Sequence, residues 1–306
     1  MFTGMDDPLL LARHQGFVTA RSAHALGISR STLHRLVRAD RLEHVPGGIY
    51  LLPEPRTPEQ RHALVTRAVL SEDPFAHASH QSALALQDIP LIGVPLDRVH
   101  IADARASSRR RQSVHRHVLR DGDAVTRYEG WRTLALPLAC LQLAARCGAR
   151  SGVVAADACL HRGLVEADEL TAIIESGRLR RGLVAAREAA RLADGTAESP
   201  GESLLRLVLN ELPVTVSPQV EIAGTPYRVD FLVDGRVVVE FDGDIKYNGP
   251  DAVDVHAKEK ARQAHLERLG YIVVRVKWAE LGSPATIRSI VHAAVVRARA
   301  AAAGAA

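Results

Sequence analysis

Three acidic residues interrupt the apolar runs near the carboxyl end of the sequence. In RVDFLVDGRVVVEFDGDIKY, residues 228–247, Asp230, Glu240 and Asp242 stand among valine, leucine and phenylalanine. Burying an unpaired carboxylate is costly, so acids in such a run need a compensating partner. Converging carboxylates bind hard divalent cations such as Mg²⁺. A metal ion held in this way can activate a water for hydrolysis.

A hairpin is predicted to hold these acids. Asp234-Gly235 between two apolar runs is a strong signal for a two-residue hairpin turn. Asp230 and Glu240 then lie nearly opposite each other across the two strands. Asp242 shares the face of Glu240, because side chains alternate along a strand.

A structural explanation of the same acids remains open. Asp230 and Glu240 can each pair with an arginine, such as Arg228 or Arg275, without any metal. The surrounding patterns predict a helix over ESLLRLVLNEL, a strand over QVEIAG, a helix over VHAKEKARQAHLERLG and a strand over YIVVRVKW. The order is helix, three strands, helix, strand.

Residues 198–282 resemble the PD-(D/E)xK nuclease superfamily, and more closely the very-short-patch-repair mismatch endonucleases. The resemblance rests on an aspartate and a glutamate separated by nine residues, and on Glu202 and Gln219 before them. It implies that Asp230 and Glu240 hold Mg²⁺ or Mn²⁺, with the Phe241 carbonyl as a third ligand. Glu202 would support these ligands or hold a second ion.

The sequence departs from the nuclease pattern at one position. A lysine normally follows the glutamate by two residues and orients the attacking water, and Asp242 stands there instead. Lys246 and Lys260 are two replacements, and we favour Lys246. The departure weakens the prediction of activity.

A second pattern, over residues 9–52, is typical of a helix-turn-helix. A first helix ends at Gly16, Thr19 caps a second helix over 20–26, and Gly27 supplies the turn. Ser29 then caps a third helix over 30–39. In such a motif the later helix lies in the major groove of DNA.

The faces of this third helix differ in chemistry. Its predicted core face is apolar, and its outward face offers donors to phosphates and base edges. The core residues are Ile28, Leu33, Leu36 and Val37, and the DNA-binding candidates are Arg30, Ser31, Thr32, His34, Arg35 and Arg38. Leu42, Val45 and residues 49–52 around Pro46-Gly47-Gly48 predict a two-stranded wing.

The segment GFVTARSAHALGISRSTLHRLVRADRLEHVPGGIYLL resembles the winged-helix domain of AbiEi-type antitoxins of type IV toxin-antitoxin systems. The resemblance implies a DNA-binding winged helix and leaves a toxin partner open. The structural alternative is a helical bundle cap with a solvated basic face.

A proline-rich linker, Pro53–Pro58, precedes a region of mixed helices and strands that extends to about Ala193. This region resembles the part that follows the winged helix in AbiEi-like proteins, and no reaction is assigned to it. His77 with His80, and His115 with His117, have metal-ligand spacings, but no nearby carboxylate or cysteine completes a site. A structural role is favoured for them. The arginines of RASSRRRQSVHRH indicate either a phosphate-facing loop or a solvated one: Arg105, Arg109, Arg110, Arg111 and Arg116.

Composition restricts the class of protein. The chain carries 39 Lys and Arg against 35 Asp and Glu, a net charge of +4 that is weak evidence for nucleic acid. Cys140, Cys147 and Cys159 lack paired spacing and are interpreted as reduced core thiols. No apolar run reaches the roughly 18 residues that span a bilayer, and the amino terminus MFTGMDDPLL is acidic where a secretory signal is basic and then apolar. We expect no membrane contact and a cytoplasmic protein.

Together these patterns predict an α+β or α/β multidomain protein that acts on DNA. The predicted domains are a winged helix over 1–55, an AbiEi-like middle domain over 56–195 and a restriction-endonuclease-like core over 196–300. The favoured function is magnesium-dependent cleavage of DNA. The alternatives are a non-enzymatic antitoxin-type repressor with a degenerate nuclease fold, and a nuclease that acts on RNA. A homodimer is open.

Overall fold

The computed structural model describes residues 8–105, 109–111, 113–243 and 252–304, and within them it is a mixed α/β multidomain fold. The chain divides into two compact units, Met1–Ala193 and Asp194–Ala306. The first unit contains a three-stranded and a six-stranded sheet, and the second contains a four-stranded sheet. The predicted winged-helix domain and most of the predicted middle domain fall within the first unit. The division into three domains stays a prediction.

The amino-terminal part of the first unit is compatible with a winged helix. Its elements are α1 (Pro8–Gln15), β1 (Phe17–Thr19), α2 (Ala20–Ala25), α3 (Arg30–Arg38), β2 (Glu43–Val45) and β3 (Ile49–Leu51). The antiparallel sheet has the order β1-β3-β2. Leu33 of α3 packs in a common core with Val18, Ala23 and Tyr50. The helices and the wing strands agree with the prediction, whereas β1 was not predicted.

The rest of the first unit alternates helices and strands. It contains α4 (Pro58–Glu72), β4 (His77–Ala78), α5 (His80–Ala85), β5 (Val99–Asp103), β6 (Arg109–Arg111), β7 (Val114–Val118), β8 (Val125–Tyr128), β9 (Trp131–Leu134), α6 (Leu136–Cys147), α7 (Ala149–His161), α8 (Ala167–Glu175) and α9 (Leu183–Leu192). The six-stranded sheet has the order β6-β7-β5-β4-β9-β8. Gly152 of α7 lets the chain approach α6 closely, because a Cβ at this position would lie 2.3 Å from the Cβ of Ala144.

The second unit has the predicted order of helix, three strands, helix, strand. Its elements are α10 (Pro200–Leu209), β10 (Val216–Glu221), β11 (Arg228–Val233), β12 (Val237–Asp242), α11 (Ala252–Arg268), β13 (Ile272–Lys277), α12 (Trp278–Leu281) and α13 (Pro284–Gly304). The sheet order is β10-β11-β12-β13, and only the β12–β13 pair is parallel. Asp234 and Gly235 have φ values of 46° and 67°. Two positive φ values are what a type I′ turn requires, but the register pairs Val233 with Val237, so the loop has three residues instead of the predicted two.

Helices cover this sheet and fix where its polar residues can lie. Leu266 of α11 packs against Val238 of β12, while α10 and α13 also contact β12. The helices α12 and α13 were not predicted. Over the part of the chain that the structure describes, every helix is too short or too polar to cross a bilayer.

Candidate functional site

Local hydrogen bonds define the start of α3 and the turn before it. The Thr32 amide donates to Ser29 Oγ at 3.2 Å, which caps the helix. Thr19 and Ser22 cap α2 in the same way, each side chain accepting from the other residue's amide. Gly27, at φ 74°, reverses the chain between the two helices. Short-range chemistry therefore sets the geometry of this helix-turn-helix.

One face of α3 is exposed and basic. At about 100° per residue, the outward residues span an arc of about 140° of the helix. They are Arg30, Ser31, His34, Arg35 and Arg38, and all are exposed. The opposite arc holds buried Leu33 and the partly buried Leu36 and Val37. Thr32 is only partly buried and lies at the border of the exposed face.

Within the residues that the structure describes, the cationic groups of this face have no acidic partners. No carboxylate among the described residues forms an ion pair with Arg30, Arg35 or Arg38. The hydroxyl groups differ, since Ser31 Oγ lies 2.7 Å and Thr32 Oγ1 3.0 Å from Ser29 Oγ. The arginines are therefore available to an external anion, whereas the two hydroxyl groups already contact the capping residue.

The wing is tied to the helix-turn-helix through the backbone. The Ala20 amide donates to the Gly48 carbonyl at 2.7 Å. The hairpin tip, Pro46 and Gly47, is exposed. The wing strands and α3 thus pack together in the amino-terminal part of the first unit, which presents a basic helix and a glycine-rich loop.

In the second unit, Asp230 and Glu240 lie close together at one end of the β11–β12 pair, with Glu202 nearby. The register pairs Phe231 with Val239, so Asp230 and Glu240 follow as the next positions opposite each other. The Phe241 amide donates to Asp230 Oδ2 at 2.7 Å. The backbone of β12 thus holds the Asp230 carboxylate beside Glu240.

Glu202 lies in the first turn of α10 and is held by hydrogen bonds. Its Oε1 accepts from Ser199 Oγ at 2.7 Å, and its Oε2 accepts from Gln219 Nε2 at 2.9 Å and from the Glu198 amide at 3.0 Å. Gln219 adopts a φ of 50° in β10. The two residues singled out before the hairpin are therefore direct partners.

The protonation of Asp230 reflects these neighbours. Burial raises its pKa to about 6, and the charges of Glu202 and Glu240 add to the shift. The hydrogen bond from the Phe241 amide opposes the shift. Three acids therefore lie close enough to repel one another.

Arginines neutralise Glu240. Glu240 is 8% exposed, and its Oε1 lies 2.6 Å from Arg262 Nη2 of α11. Arg275 of β13 lies 3.9 Å from Oε2 and also pairs with Glu259 at 3.1 Å. The structural alternative therefore holds at Glu240, although Arg262 was not foreseen as its partner.

Arg228 does not provide the second foreseen pair. It forms its ion pair with Glu198. Among the described residues, Asp230 forms no ion pair with an arginine. Asp230 is thus the acid of this cluster that the chain leaves without a cation in direct contact.

The acidic side chains alone do not form a three-carboxylate metal site in this geometry. Within the described residues, the acids supply no set of three ligand oxygens lying within 4.8 Å of one another. A cation shared by Asp230 and Glu240 has to displace Arg262 from Glu240. Asp242 is partly buried and aligned with Lys277, Lys260 is exposed, and Lys246 lies outside the described residues.

The arginine-rich segment of the first unit is partly neutralised as well. Arg105 and Arg116 both contact Asp73 and Asp103 within 3.2 Å. The side chains of residues 109–111 lie outside the part of the chain whose burial the structure describes. These ion pairs favour a structural role for Arg105 and Arg116.

A histidine group was only partly foreseen. His80, His100 and His117 bring ligand atoms within 4.8 Å of one another. The pairs His77 with His80 and His115 with His117 were noted from their spacing. His100 was missed because it stands alone in the strand VHIAD and joins the others only through the sheet.

Comparison with known proteins bears on the amino-terminal segment. Residues 7–53 match a family described as "Transcriptional regulator, AbiEi antitoxin". The winged-helix segment is similar to AbiEi antitoxin regulators. This AbiEi-like domain carries the exposed face of α3.

Two curated relatives, the uncharacterized proteins Rv2248 and MT2308 of Mycobacterium tuberculosis strains, are each 35% identical over 125 residues. The match covers 39% of this chain and 45% of each relative, so the chain spans less than half the length of these relatives. The crystal structure of the RV2827C protein from Mycobacterium tuberculosis matches with 18% identity and a TM-score of 0.38. That match covers 69% of this chain and 82% of the other.

Proposed function

We propose that the protein is a DNA-binding regulator of the AbiEi antitoxin type that reads the major groove with α3. The observation that carries the proposal is the exposed face of α3, whose three arginines lack acidic partners among the described residues. The AbiEi family match over residues 7–53 supports the same conclusion.

The positions along α3 suggest different roles. Residues at the start of a recognition helix contact base edges, and arginine pairs bidentately with guanine. Arg30 and His34 lie one turn apart near this start, so they are the base-reading candidates. Arg35 and Arg38 lie further along the helix and suit phosphates, which position the domain without reading sequence. Ser31 and Thr32 contribute less, because their hydroxyl groups contact Ser29.

Selection from a random pool of DNA duplexes by the full chain tests this proposal. We expect enrichment of a short motif, followed by its protection in a footprinting experiment. The matched variant carries Arg30→Ala, Arg35→Ala and Arg38→Ala, and the control carries Arg187→Ala at an exposed position of α9. Enrichment of the same motif by the triple variant would show that α3 is not the reading element.

A toxin partner and a homodimer belong to the same proposal. The family description names an antitoxin, which acts together with a toxin. Light scattering at increasing protein concentration measures self-association directly. A mass that stays at one chain would exclude the homodimer under those conditions.

Metal-dependent cleavage of DNA is the second candidate function. The observation that favours it is the proximity of Asp230 to Glu202 and Glu240, which helps to raise the pKa of Asp230 to about 6. Mg²⁺ or Mn²⁺, ligated by Asp230, Glu240 and the Phe241 carbonyl, would supply Lewis-acid chemistry. The ion pair between Glu240 and Arg262 opposes this candidate.

Plasmid, single-stranded DNA and RNA substrates with Mg²⁺ or Mn²⁺ separate the two candidates. A regulator without activity gives no cleavage above that of the Asp230→Asn variant. If the parent cleaves the substrate, Asp230→Asn does not, and Arg262→Ala cleaves at least as well as the parent, the protein is a nuclease. The second variant matters because it removes the cation that occupies Glu240.

A further inference from the structure

We propose that His80, His100 and His117 form a binding site for a transition-metal ion, with Zn²⁺ as the ion that fits best. The open coordination position of this site faces an arginine-lined cavity. The site lies in the first unit and is separate from both the α3 face and the carboxylate cluster.

The sheet brings the three rings together. β5 and β7 are parallel neighbours whose register pairs His100 with His115. His117 follows His115 by two residues and lies on the same face of the sheet. His80 is the first residue of α5 and has a φ of 52°, a conformation uncommon for residues other than glycine. The Ser79 amide donates to the His100 carbonyl at 3.0 Å and connects this turn to β5.

The distances are close to those of a tetrahedral zinc site. Zinc–nitrogen bonds of about 2.0–2.1 Å place two imidazole centroids about 5 Å apart. The His80–His100 and His100–His117 centroids are 5.1 Å and 5.0 Å apart. The His80–His117 distance is 4.1 Å, so a bound ion has to separate this stacked pair by about 1 Å.

The nitrogen atoms have a suitable arrangement. His100 Nδ1 and His117 Nε2 lie 2.9 Å apart, slightly less than the separation of two ligands on one zinc ion. His80 Nδ1 lies 3.1 Å from the hydroxyl of buried Ser79, which leaves Nε2 as its ligand atom. Hydrogen bonds to the other ring nitrogen commonly orient histidine ligands.

Buried rings flank the group and hold it in the sheet. His100 is 1% exposed and His115 is 6% exposed. His115 stacks on His117 at a centroid distance of 4.0 Å and lines the same cavity.

The cavity determines which further ligand the ion would take. It has a volume of ≈ 860 Å³ and its lining includes His80, His117 and the basic residues Arg146, Arg180 and Arg181. These arginines oppose a bare dication, so a small anion such as phosphate completes the site better than a neutral ligand. Three protein ligands with one open position are typical of non-structural zinc sites.

Metal titration of the whole chain, purified with chelator and then dialysed, tests the proposal. We expect one Zn²⁺ per chain by elemental analysis and visible absorption bands on addition of Co²⁺. Replacement of a ligand, as in His100→Ala or the milder His117→Asn, should weaken binding by about 100-fold or more. The matched control is His292→Ala, which changes an exposed histidine of α13. Phosphate added to the Co²⁺-loaded protein should shift the bands.

Circular dichroism shows whether each variant is folded, and the replacement at the partly exposed His117 avoids the fully buried His100. Zn²⁺ should also raise the melting temperature of the unaltered protein, an effect that depends on binding to the folded state alone. The proposal is wrong if the folded protein binds no ion beyond the level of the triple variant His80→Ala, His100→Ala, His117→Asn. Bands that do not respond to phosphate would exclude the anion.

Discussion

The α3 face and the carboxylate cluster of the second unit differ in whether their charged groups have ion-pair partners. Arg30, Arg35 and Arg38 are exposed and have no ion-pair partner among the described residues. Glu240 is 8% exposed and is met by two arginines of its own unit. Exposed charges that the fold leaves uncompensated are suited to an external ligand. Charges that form ion pairs within the fold stabilise it, and an external ligand has to compete with those ion pairs.

Asp230 lies between these two cases. Its carboxylate accepts a hydrogen bond from the Phe241 amide but has no arginine in direct contact among the described residues. The raised pKa of Asp230 shows that its neighbours only partly compensate the ionised carboxylate. Asp230 is therefore the residue whose substitution best distinguishes a structural cluster from a ligand-binding cluster.

Removal of the α3 arginines should have the largest effect. We expect the triple variant Arg30→Ala, Arg35→Ala, Arg38→Ala to bind selected DNA about 100-fold or more weakly, since each arginine is worth about 1 kcal/mol or more. The slope of log affinity against log salt should become shallower by about 0.9 for each phosphate that the variant no longer neutralises. Fluorescence anisotropy at several salt concentrations measures both quantities. A free-energy loss in the single Arg187→Ala control as large as one third of the triple variant's loss would mean that net charge alone drives binding.

Glu240→Gln should destabilise the second unit. The substitution keeps the side-chain shape but leaves Arg262 and Arg275 facing a neutral amide. Breaking a fully buried pair costs about 3–5 kcal/mol, and the partial exposure of Arg262 reduces our expectation to about 1–3 kcal/mol. Denaturant unfolding measures the loss, with Glu221→Gln at an exposed position of β10 as the control. A stability unchanged from that control would show that the ion pair contributes nothing.

Asp230→Asn should change stability in a pH-dependent way. Since burial raises the folded-state pKa from 3.8 to about 6, the group stabilises the fold below pH 3.8, and this contribution is lost as the pH rises through about 6. Asparagine can still accept the hydrogen bond from the Phe241 amide. We therefore expect the variant to be more stable than the parent by about 2 kcal/mol near pH 7.5 and equally stable near pH 4.

The same measurement repeated with Mg²⁺ distinguishes the two interpretations of Asp230. If Asp230 is a metal ligand, Mg²⁺ raises the free energy of unfolding of the parent at pH 7.5, and this increase disappears in Asp230→Asn. If Asp230 is a structural acid, the free energy of unfolding depends on pH but not on Mg²⁺. A stability difference between the parent and Asp230→Asn that does not change between pH 4 and pH 7.5 would contradict the assigned pKa.

Local chemistry explains which parts of the molecule could be predicted. The positive φ values at Asp234 and Gly235 follow from residue types that favour them, and the caps at Thr19 and Ser29 define helix starts within a few residues. The position of the hairpin turn and the start of α3 can therefore be predicted from the sequence. The short strand β1, with three residues, is too brief to give a pattern.

Long-range contacts explain what could not be predicted. Arg262 reaches Glu240 from another element, and no spacing rule relates the helix α11 to the strand β12. His100 gains its histidine neighbours only through the β5–β7 register and the turn at His80. Residue types indicated the candidates for chemistry, but their partners depend on packing.

Arg299→Ala should have the smallest effect and sets a scale for the comparison. Arg299 of α13 pairs with Asp234 in the hairpin turn, but its side chain is 63% exposed. Exposed pairs contribute about 0.2–1 kcal/mol, because water and salt screen them. Asp234 also keeps its hydrogen bond from the Thr215 amide at 2.9 Å, so the turn retains a partner when the arginine is removed. Unfolding at low and high salt should give a small difference that high salt removes. A destabilisation as large as that of Glu240→Gln would mean that burial does not separate the two ion pairs.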